Sequence, residues 1–314
     1  MSKNKKVFAA LAIAAAVSLG SGLLVYCQQN QPASTIVKEQ VQQQPVQSQL
    51  NVAQTSTSPQ TQSPVTKPKN DQIAPAPAKP AATAENVSDQ KIGWYYKPNN
   101  QHKLPEVNPT GKALLEKYDG LYHGNLAGKN IYLTFDEGYE NGYTAKILDA
   151  LKEANVKAAF FITGDYIKRN PELVQRMVNE GHIVGNHTDH HPSLPEVSNE
   201  RIKKELSTLS QEFEQLTGKK MKYLRPPKGE YSERTLKVTR ELGYRNVFWS
   251  VALVDWQPDA GSPEQNKATV MQRLHNGAIV LLHAVNKANA EMLPDLIKEC
   301  KQQGYQFKSL DEIN

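Results

Sequence analysis

The sequence predicts an α/β fold: a short or incomplete (β/α) barrel of about seven parallel strands, preceded by a disordered tether. Three observations indicate this fold. Apolar runs alternate with amphipathic segments from about residue 129 onward, ionisable residues follow most of the apolar runs, and residues 28–90 contain no aromatic side chain. Strands that alternate with helices pair in parallel, and α/β barrels place their functional groups at the carboxyl ends of strands.

The first 27 residues have the pattern of an export signal or a membrane anchor. Three lysines near the N-terminus precede an uncharged run from Val7 to Tyr26. A basic start followed by an apolar run is typical of a secretory signal, and about twenty such residues also suffice to cross a bilayer. We therefore expect an extracytoplasmic protein that is either membrane-anchored or secreted.

The next segment, residues 28–90, is rich in Gln, Pro, Ser and Thr. A segment of this composition cannot bury enough apolar surface to offset the entropy lost on ordering. We predict a disordered linker over 28–90 and a folded domain over 91–314, which begins near the aromatic residues at Trp94.

Charge and cysteine content exclude some classes of protein. The net charge is +5, but three of the positive charges lie in the leader, which leaves 34 basic against 32 acidic residues. This near-balance does not predict a nucleic-acid partner. Cys27 and Cys300 are the only cysteines, so the domain has no internal disulfide to form, and we expect Cys300 to be a buried thiol.

The alternation of strands and helices can be followed along the chain. The predicted strands are Ile131–Asp136, Ala158–Gly164, His182–Asn186, Tyr223–Arg225, Val247–Val251, Ala278–His283 and Tyr305–Ser309. The predicted helices between them are Thr144–Ala154, Pro171–Glu180, Asn199–Leu216, Ser232–Leu242, Pro263–His275 and Ala288–Gln303. One further helix, around Gly111–Tyr118, is expected in an N-terminal extension.

The first of these strands ends abruptly at two acids and a glycine, Asp136-Glu137-Gly138. With Glu140, three acids lie within five residues, and they would repel one another unless a positive group lies nearby. A metal ion, an arginine or a helix cap could each supply that compensation, and the residues themselves leave the choice open.

Two histidines follow the third predicted strand, and His187 and His191 are four residues apart. This spacing can place two imidazoles on one face of a turn, and two imidazoles with a carboxylate form a common open metal site. An ordinary surface pair is the alternative. Pro192 indicates a constrained turn and so favours the metal site, whereas His190 should point elsewhere.

Three further ionisable residues follow later strands. Arg225 precedes two prolines and could fix a carboxylate such as Asp136 by pairing with it. Asp255 follows the predicted strand around Phe248, and His283 ends the most apolar strand. A loop acid and a core histidine are the plain alternatives, but a strand-end histidine beside an acid also suits general acid catalysis.

Taken in order, these motifs resemble the polysaccharide deacetylases, the nodulation-protein-B-like enzymes of carbohydrate esterase family 4. The motifs are Thr134-Phe135-Asp136-Glu137-Gly138, His187-Thr188-x-x-His191, Arg225-x-Pro227-x-Gly229, Asp255-Trp256 and Leu281-x-His283. The resemblance extends from about Lys129 to the C-terminus. The longer strings Gly138-Tyr139-Glu140-Asn141-Gly142, Phe248-Trp249-Ser250-Val251 and Leu281-Leu282-His283 are most similar to the peptidoglycan N-acetylmuramic acid deacetylases of the δ-lactam-forming type.

The resemblance implies a role for each matching residue. Asp136 would be the base that activates water, and Arg225 would tether it. His283 would protonate the departing amine, and Asp255 would orient that histidine.

The resemblance also implies a divalent metal, zinc or another transition metal, bound by His187 and His191. Pro227, Lys228, Trp256 and Leu281 would bind the substrate, with the backbone N–H of Lys228 as an oxyanion donor and Trp256 and Leu281 around the acetyl methyl. The family usually has a second aspartate as the third metal ligand, and this sequence has Glu137 there. Glutamate could still reach the metal, or it could turn away.

The resemblance therefore implies an exported, metal-dependent hydrolase that removes N-acetyl groups from N-acetylmuramic acid or N-acetylglucosamine of peptidoglycan. Its partners would be the cell-wall glycan and, through the N-terminal segment, the membrane. Two alternatives stay open: a glycan-binding relative with little or no catalysis, which the departure at Glu137 suggests, and an O-acetyl polysaccharide esterase.

Overall fold

The computed structural model describes residues 87–257 and 260–313. The predicted leader and nearly all of the predicted linker lie outside these residues. Within the described ranges, no helix is both long enough and apolar enough to span a membrane.

Twelve strands and eight α-helices are present in the described part of the chain. The strands are β1 (Ile92–Gly93), β2 (Tyr96–Lys97), β3 (Glu106–Val107), β4 (Asn130–Glu137), β5 (Ala159–Ile162), β6 (Ile183–Asn186), β7 (Tyr223–Leu224), β8 (Glu230–Tyr231), β9 (Arg245–Asn246), β10 (Val251–Ala252), β11 (Ala278–His283) and β12 (Gln306–Phe307). The helices are α1 (Pro109–Lys117), α2 (Thr144–Glu153), α3 (Gly164–Arg169), α4 (Pro171–Asn179), α5 (Asn199–Thr217), α6 (Glu233–Glu241), α7 (Pro263–Arg273) and α8 (Lys287–Gln302).

The main sheet is entirely parallel and has the strand order β10-β11-β4-β5-β6-β7-β9, with β12 pairing beside the start of β4. One short run of chain, residues 245–252, supplies both edges: β9 pairs with β7, and β10 pairs with β11. The sheet therefore curls back towards itself without a continuous ladder. This confirms the predicted incomplete barrel of about seven parallel strands.

The predicted strand Val247–Val251 is interrupted, because its backbone bonds to different partners along its length. The amide of Phe248 donates to the carbonyl of Leu121 in the N-terminal extension, and the amide of Ser250 donates to Ile279 in β11. A single ladder cannot form while the segment crosses from one edge of the sheet to the other. The predicted span therefore falls mostly between two short strands: β9 ends at Asn246, just before it, and β10 begins at Val251.

Strand β4 is buried on both faces, as expected of a central parallel strand. Side chains alternate along it: Leu133 and Phe135 pack in the cluster beneath the helices, whereas Tyr132 packs inside the curl with Phe161 and Ile279. The alternation continues through Glu137, one residue beyond the predicted end of the strand, and this extra residue matters for the site.

The predicted helices are present, and α3 is an addition. Strand β5 ends at Ile162. Thr163 then caps α3, because its side chain accepts a hydrogen bond from the amide of Tyr166. Such a threonine cap stabilises a helix start. The predicted strand Ala158–Gly164 extends over this cap.

The N-terminal extension packs against the barrel through a separate aromatic cluster that includes Trp94, Tyr231 and Phe248. Trp94 Nε1 also donates to the Trp249 carbonyl at 2.9 Å. Asp89 accepts a hydrogen bond from Ser232 and pairs with Arg234 at 2.8 Å. Asp89 lies within the predicted linker, so packing begins slightly before the predicted boundary at residue 91.

Candidate active site

The carboxyl ends of the strands open into a cavity of about 600 Å³. Its lining includes seven of the predicted site residues: Asp136, His187, His191, Lys228, Trp256, Leu281 and His283. Three other predicted residues, Arg225, Pro227 and Asp255, are buried next to residues that line it. The motifs that are far apart in the sequence therefore meet at one end of the sheet, as the barrel topology requires.

One side of the cavity is built on an ion pair between Asp136 and Arg225. The fully buried guanidinium donates from Nη1 to Asp136 Oδ1 at 2.6 Å, from Nη2 to Thr134 Oγ1 at 2.9 Å and from Nε to the Val247 carbonyl at 3.1 Å. Its carbon lies 4.2 Å from the centroid of the Phe161 ring. These contacts fix the arginine, and the arginine in turn fixes the carboxylate.

The charge state of Asp136 follows from this pairing. Burial raises the pKa of Asp136, but the charge and hydrogen bond of Arg225, together with the charges of His187 and His283, outweigh burial, and the net pKa lies below its ordinary value. Asp136 is therefore ionised at neutral pH, with Oδ1 held by Arg225 and Oδ2 facing His187 at 3.6 Å. An ionised carboxylate in this position can accept a proton from water.

His187 and His191 come together in a tight loop rather than on a helical turn. Thr188 and His191 both have left-handed backbone angles, with φ of 68° and 57°, and the amide of His191 donates to Thr188 Oγ1 at 2.9 Å. The loop brings the two imidazole rings to 4.8 Å between centroids. The four-residue spacing thus predicted the proximity of the rings but not the backbone conformation.

Both rings are suited to metal binding. His187 Nδ1 donates to the Arg225 carbonyl at 2.7 Å, and since a carbonyl only accepts, Nε2 keeps its lone pair. Burial lowers the pKa of His187; burial, the neighbouring His187 and, more weakly, the charge of Lys228 lower the pKa of His191 to about 4. Neutral imidazoles with a free lone pair are what a metal ion requires.

Glu137 lies elsewhere. As the neighbour of Asp136 in β4 it faces the opposite side of the sheet, where Oε2 accepts from Thr144 Oγ1 at 3.4 Å and the buried Oε1 has no hydrogen-bond partner among the described residues. Burial, with the charges of Glu140 and Asp136, raises the pKa of Glu137 well above its usual range. The structure does not bring this carboxylate to the two histidines.

The two imidazoles therefore fit a divalent ion, but the predicted third ligand is not beside them. Over residues 87–257 and 260–313, no three His, Cys, Asp or Glu side chains converge as a metal-binding group. Catalytic zinc sites generally have three protein ligands, so this site has an unusually small set of protein donors.

The neighbouring strand β11 carries His283, which lies beside Asp136 in the register of the sheet and pairs with Asp255. His283 Nδ1 bonds to Asp255 Oδ1 at 2.8 Å, and its backbone amide donates to Oδ2 at 3.0 Å. Burial lowers the pKa of His283, but the hydrogen bond and charge of Asp255, together with the charge of Asp136, raise it above its ordinary value. The contacts of His283 therefore favour the protonated, proton-donating form of the imidazole.

Asn289 is a part of this site that the sequence did not predict. Its fully buried side-chain amide in α8 donates to Asp255 Oδ2 and to the His283 carbonyl, the latter at 3.1 Å. Asn266 of α7 donates in turn to Asn289 Oδ1 at 3.0 Å. In the sequence, this role is indicated only by a polar residue at a buried position of an amphipathic helix. That position alone does not identify the hydrogen-bond partner of the residue.

Aromatic side chains form the rim. Trp256 is half exposed, with its ring 6.1 Å from that of His283. Tyr139 and Trp249, which are not among the predicted site residues, also line the cavity. The turn at Lys228 is shaped by Gly229, which has φ of 66° and packs so close to Trp249 that an added Cβ would lie 2.9 Å from the ring. Only glycine suits that position.

Comparisons with known proteins agree with this architecture. A family model described as polysaccharide deacetylase matches residues 123–247. The chain is 47% identical over 235 residues to the peptidoglycan-N-acetylmuramic acid deacetylase PdaA of Bacillus subtilis, which covers 74% of this chain and 89% of that one. It is 34% identical over 230 residues to a peptidoglycan-N-acetylglucosamine deacetylase of Bacillus cereus, and the match covers 71% of this chain and 83% of that one.

Solved structures share the fold. That of Bacillus subtilis PdaA, named a family 4 carbohydrate esterase, matches with a TM-score of 0.71 at 46% identity and covers 72% of this chain and 98% of that one. The structure of BA3943 from Bacillus anthracis, named a pseudoenzyme of the same family, matches with a TM-score of 0.59 at 30% identity. The match covers 62% of this chain and 68% of that one. Because active and inactive proteins share the fold, function must be argued from the site residues.

Proposed function

Since this chain belongs to the polysaccharide deacetylase family, as its motifs predicted, we propose that it is a peptidoglycan deacetylase. It would hydrolyse the N-acetyl group of a cell-wall aminosugar, N-acetylmuramic acid or N-acetylglucosamine. The observation that supports catalysis most directly is the pair of proton-transfer groups on neighbouring strands, Asp136 held by Arg225 and His283 held by Asp255.

Amide hydrolysis needs a base to take a proton from water and an acid to give one to the poor amine leaving group. Asp136, ionised beside Arg225, would take the proton from the attacking water. His283, beside Asp136 on the neighbouring strand β11, would protonate the amine nitrogen as the carbon–nitrogen bond breaks. The backbone N–H of Lys228 would donate a hydrogen bond to the oxyanion that forms on the acetyl carbonyl.

His187 and His191 would hold a divalent cation, which we propose to be zinc and which supplies Lewis acidity toward the amide carbonyl when bound. Trp256 and Leu281 would enclose the acetyl methyl group, and Pro227 would keep the turn that precedes Lys228 rigid. A partly apolar wall is what an acetyl group needs for recognition.

The site of action would be outside the cytoplasmic membrane, where peptidoglycan lies. The basic start and the uncharged run from Val7 to Tyr26 support export, with the protein either membrane-anchored through this segment or secreted to the cell wall. Glycan would then reach a domain that follows a long linker.

The test is release of free amine from purified peptidoglycan in the presence of a divalent metal, with Asp136→Asn as the matched inactive control. Metal-dependent release by the wild type alone would support the proposal. Mass spectrometry of muropeptides from cells with and without the protein would then identify the deacetylated sugar.

A non-catalytic glycan-binding protein is the second candidate, and the unusual position of Glu137 is the observation that favours it. Binding of peptidoglycan without amine release would favour that candidate. An O-acetyl esterase would instead release acetate from acetylated xylan and leave the amides intact.

A further inference from the structure

The charged groups around the cavity form pairs, with one exception. Asp136 pairs with Arg225 at 2.6 Å, and His283 pairs with Asp255 at 2.8 Å. Lys228 also lines the cavity, and within residues 87–257 and 260–313 its ammonium has neither an ion pair nor a hydrogen bond. This lysine gives the cavity an uncompensated positive charge.

A nearby acid is already occupied. The charge of Lys228 influences the carboxylate of Glu196, but the larger effect on Glu196 is that of Lys91, which binds it at 2.6 Å. Lys91 also lies 3.6 Å from Glu230. The ammonium of Lys228 is therefore available to a molecule that enters the cavity.

The backbone that presents this lysine is held firmly. The amide of Gly229 donates to the Pro226 carbonyl at 3.1 Å, and the Gly229 carbonyl accepts from the Trp94 amide at 2.8 Å. Lys228 itself has φ of 59° and an exposed side chain. A charged side chain on a rigid turn is well suited to recognition, because little backbone order is lost on binding.

The two aminosugars of peptidoglycan differ next to the reacting group. Carbon 2 bears the acetamide in both, whereas carbon 3 bears a hydroxyl in N-acetylglucosamine and a lactyl ether with a carboxyl group in N-acetylmuramic acid. If the acetamide oxygen faces the backbone N–H of Lys228, the substituent on carbon 3 lies beside the same residue. Its charge would complement the lysine.

We propose that the Lys228 ammonium binds the free lactyl carboxylate of N-acetylmuramic acid and so determines which aminosugar is deacetylated. The inference rests on the proposed function and specifies its substrate. It assigns to the Lys228 side chain a role separate from that of its backbone N–H, since substitution of the side chain removes the charge and keeps the amide.

The experiment compares three oligosaccharides of equal length: one with N-acetylmuramic acid bearing a free lactyl carboxylate, the same compound with a neutral lactyl carboxamide, and one of N-acetylglucosamine. We expect kcat/KM of the wild type to be highest for the carboxylate. In Lys228→Ala, the ratio of carboxylate to carboxamide should fall about tenfold or more, as expected for loss of a charge-assisted hydrogen bond. Lys228→Arg should keep most of the ratio, and added salt should reduce it.

The control is Lys220→Ala, an exposed lysine in the loop before β7, at the end of the sheet away from the cavity. It should leave the ratio unchanged. Equal hydrolysis of carboxylate and carboxamide by the wild type, or an equal fall for all three sugars in Lys228→Ala, would overturn the proposal. If the wild type hydrolyses none of them, the proposed function fails, and calorimetric binding of the same sugars to the wild type and Lys228→Ala still tests the lysine.

Discussion

Asp136 and Glu137 are adjacent acids at the end of one strand, yet the fold gives them opposite surroundings. Asp136 faces the interior of the curled sheet, where Arg225 binds it at 2.6 Å and its pKa is lowered. Glu137 faces the helices. Within residues 87–257 and 260–313, no cation forms an ion pair with it and one of its oxygens has no hydrogen-bond partner, and its pKa is raised.

The difference follows from the alternation of side chains along a strand. A buried carboxylate is tolerated as an anion only where a cation and hydrogen bonds compensate it; otherwise it takes up a proton. One face of β4 thus provides a proton acceptor, and the other carries a buried acid whose raised pKa favours the protonated form. The predictions below test whether this division is also functional.

The largest effect is expected for Asp136→Asn. The substitution keeps the size of the side chain but removes the base, so turnover should fall by about 100-fold or more, while glycan binding changes little. Measurement of kcat and of equilibrium glycan binding separates the two effects. Near-normal turnover would show that Asp136 is not the base.

His283→Ala should reduce turnover by a similar factor of about 100, because no acid would then protonate the amine. Asp255→Asn tests the cause of the raised His283 pKa: with less stabilisation of the imidazolium, the alkaline limb of the pH–rate profile should move to lower pH. The limb moves to lower pH because His283 can donate a proton only while it is protonated, and an imidazole with a lower pKa loses its proton at a lower pH. An unmoved limb in Asp255→Asn would contradict the assignment.

Asn289→Ala should have an intermediate effect, about tenfold in turnover, because Asn289 positions Asp255 without touching the substrate. Its alkaline limb should shift in the same direction as that of Asp255→Asn, but by less. Asn266→Ala, one hydrogen bond further from Asp255, is the graded control. A fall in turnover with no change in the pH profile would indicate a purely structural role for Asn289.

Much of this arrangement could be predicted from the sequence. The apolar run that ends at Asp136 and the strand-end histidines and arginine indicated both the barrel and the site, because barrel topology brings strand ends together. The position of Glu137 could not be predicted, since it depends on β4 continuing for one more residue. Asn289 could not be predicted, because its partner Asp255 lies 34 residues away in sequence. The break between β9 and β10 could not be predicted either, because it depends on a contact with Leu121 in a distant segment.

Glu137→Gln should have the smallest effect on function and is the sharpest test of the comparison. Glutamine resembles the protonated acid, so turnover and metal affinity should stay close to those of the wild type, whereas His187→Ala should lose metal binding in the same calorimetric titration. A loss of metal affinity of tenfold or more in Glu137→Gln would show that this carboxylate turns toward the histidines and acts as a ligand.

The same variant should change how stability depends on pH. Because the pKa of Glu137 is raised in the folded protein above its ordinary value of 4.5, the folded state keeps a proton that the unfolded state releases. The contribution of Glu137 to folding stability is then fully present below its ordinary pKa. It is lost as the pH rises from that value towards the raised pKa of the folded state. Glu137→Gln cannot titrate, so its Tm relative to the wild type should increase with pH, at about 2–4 °C for each kcal/mol in a domain of this size. If thermal scans from about pH 4 to pH 8 give parallel curves for the two proteins, Glu137 is ionised in the folded state, and the contrast with Asp136 fails.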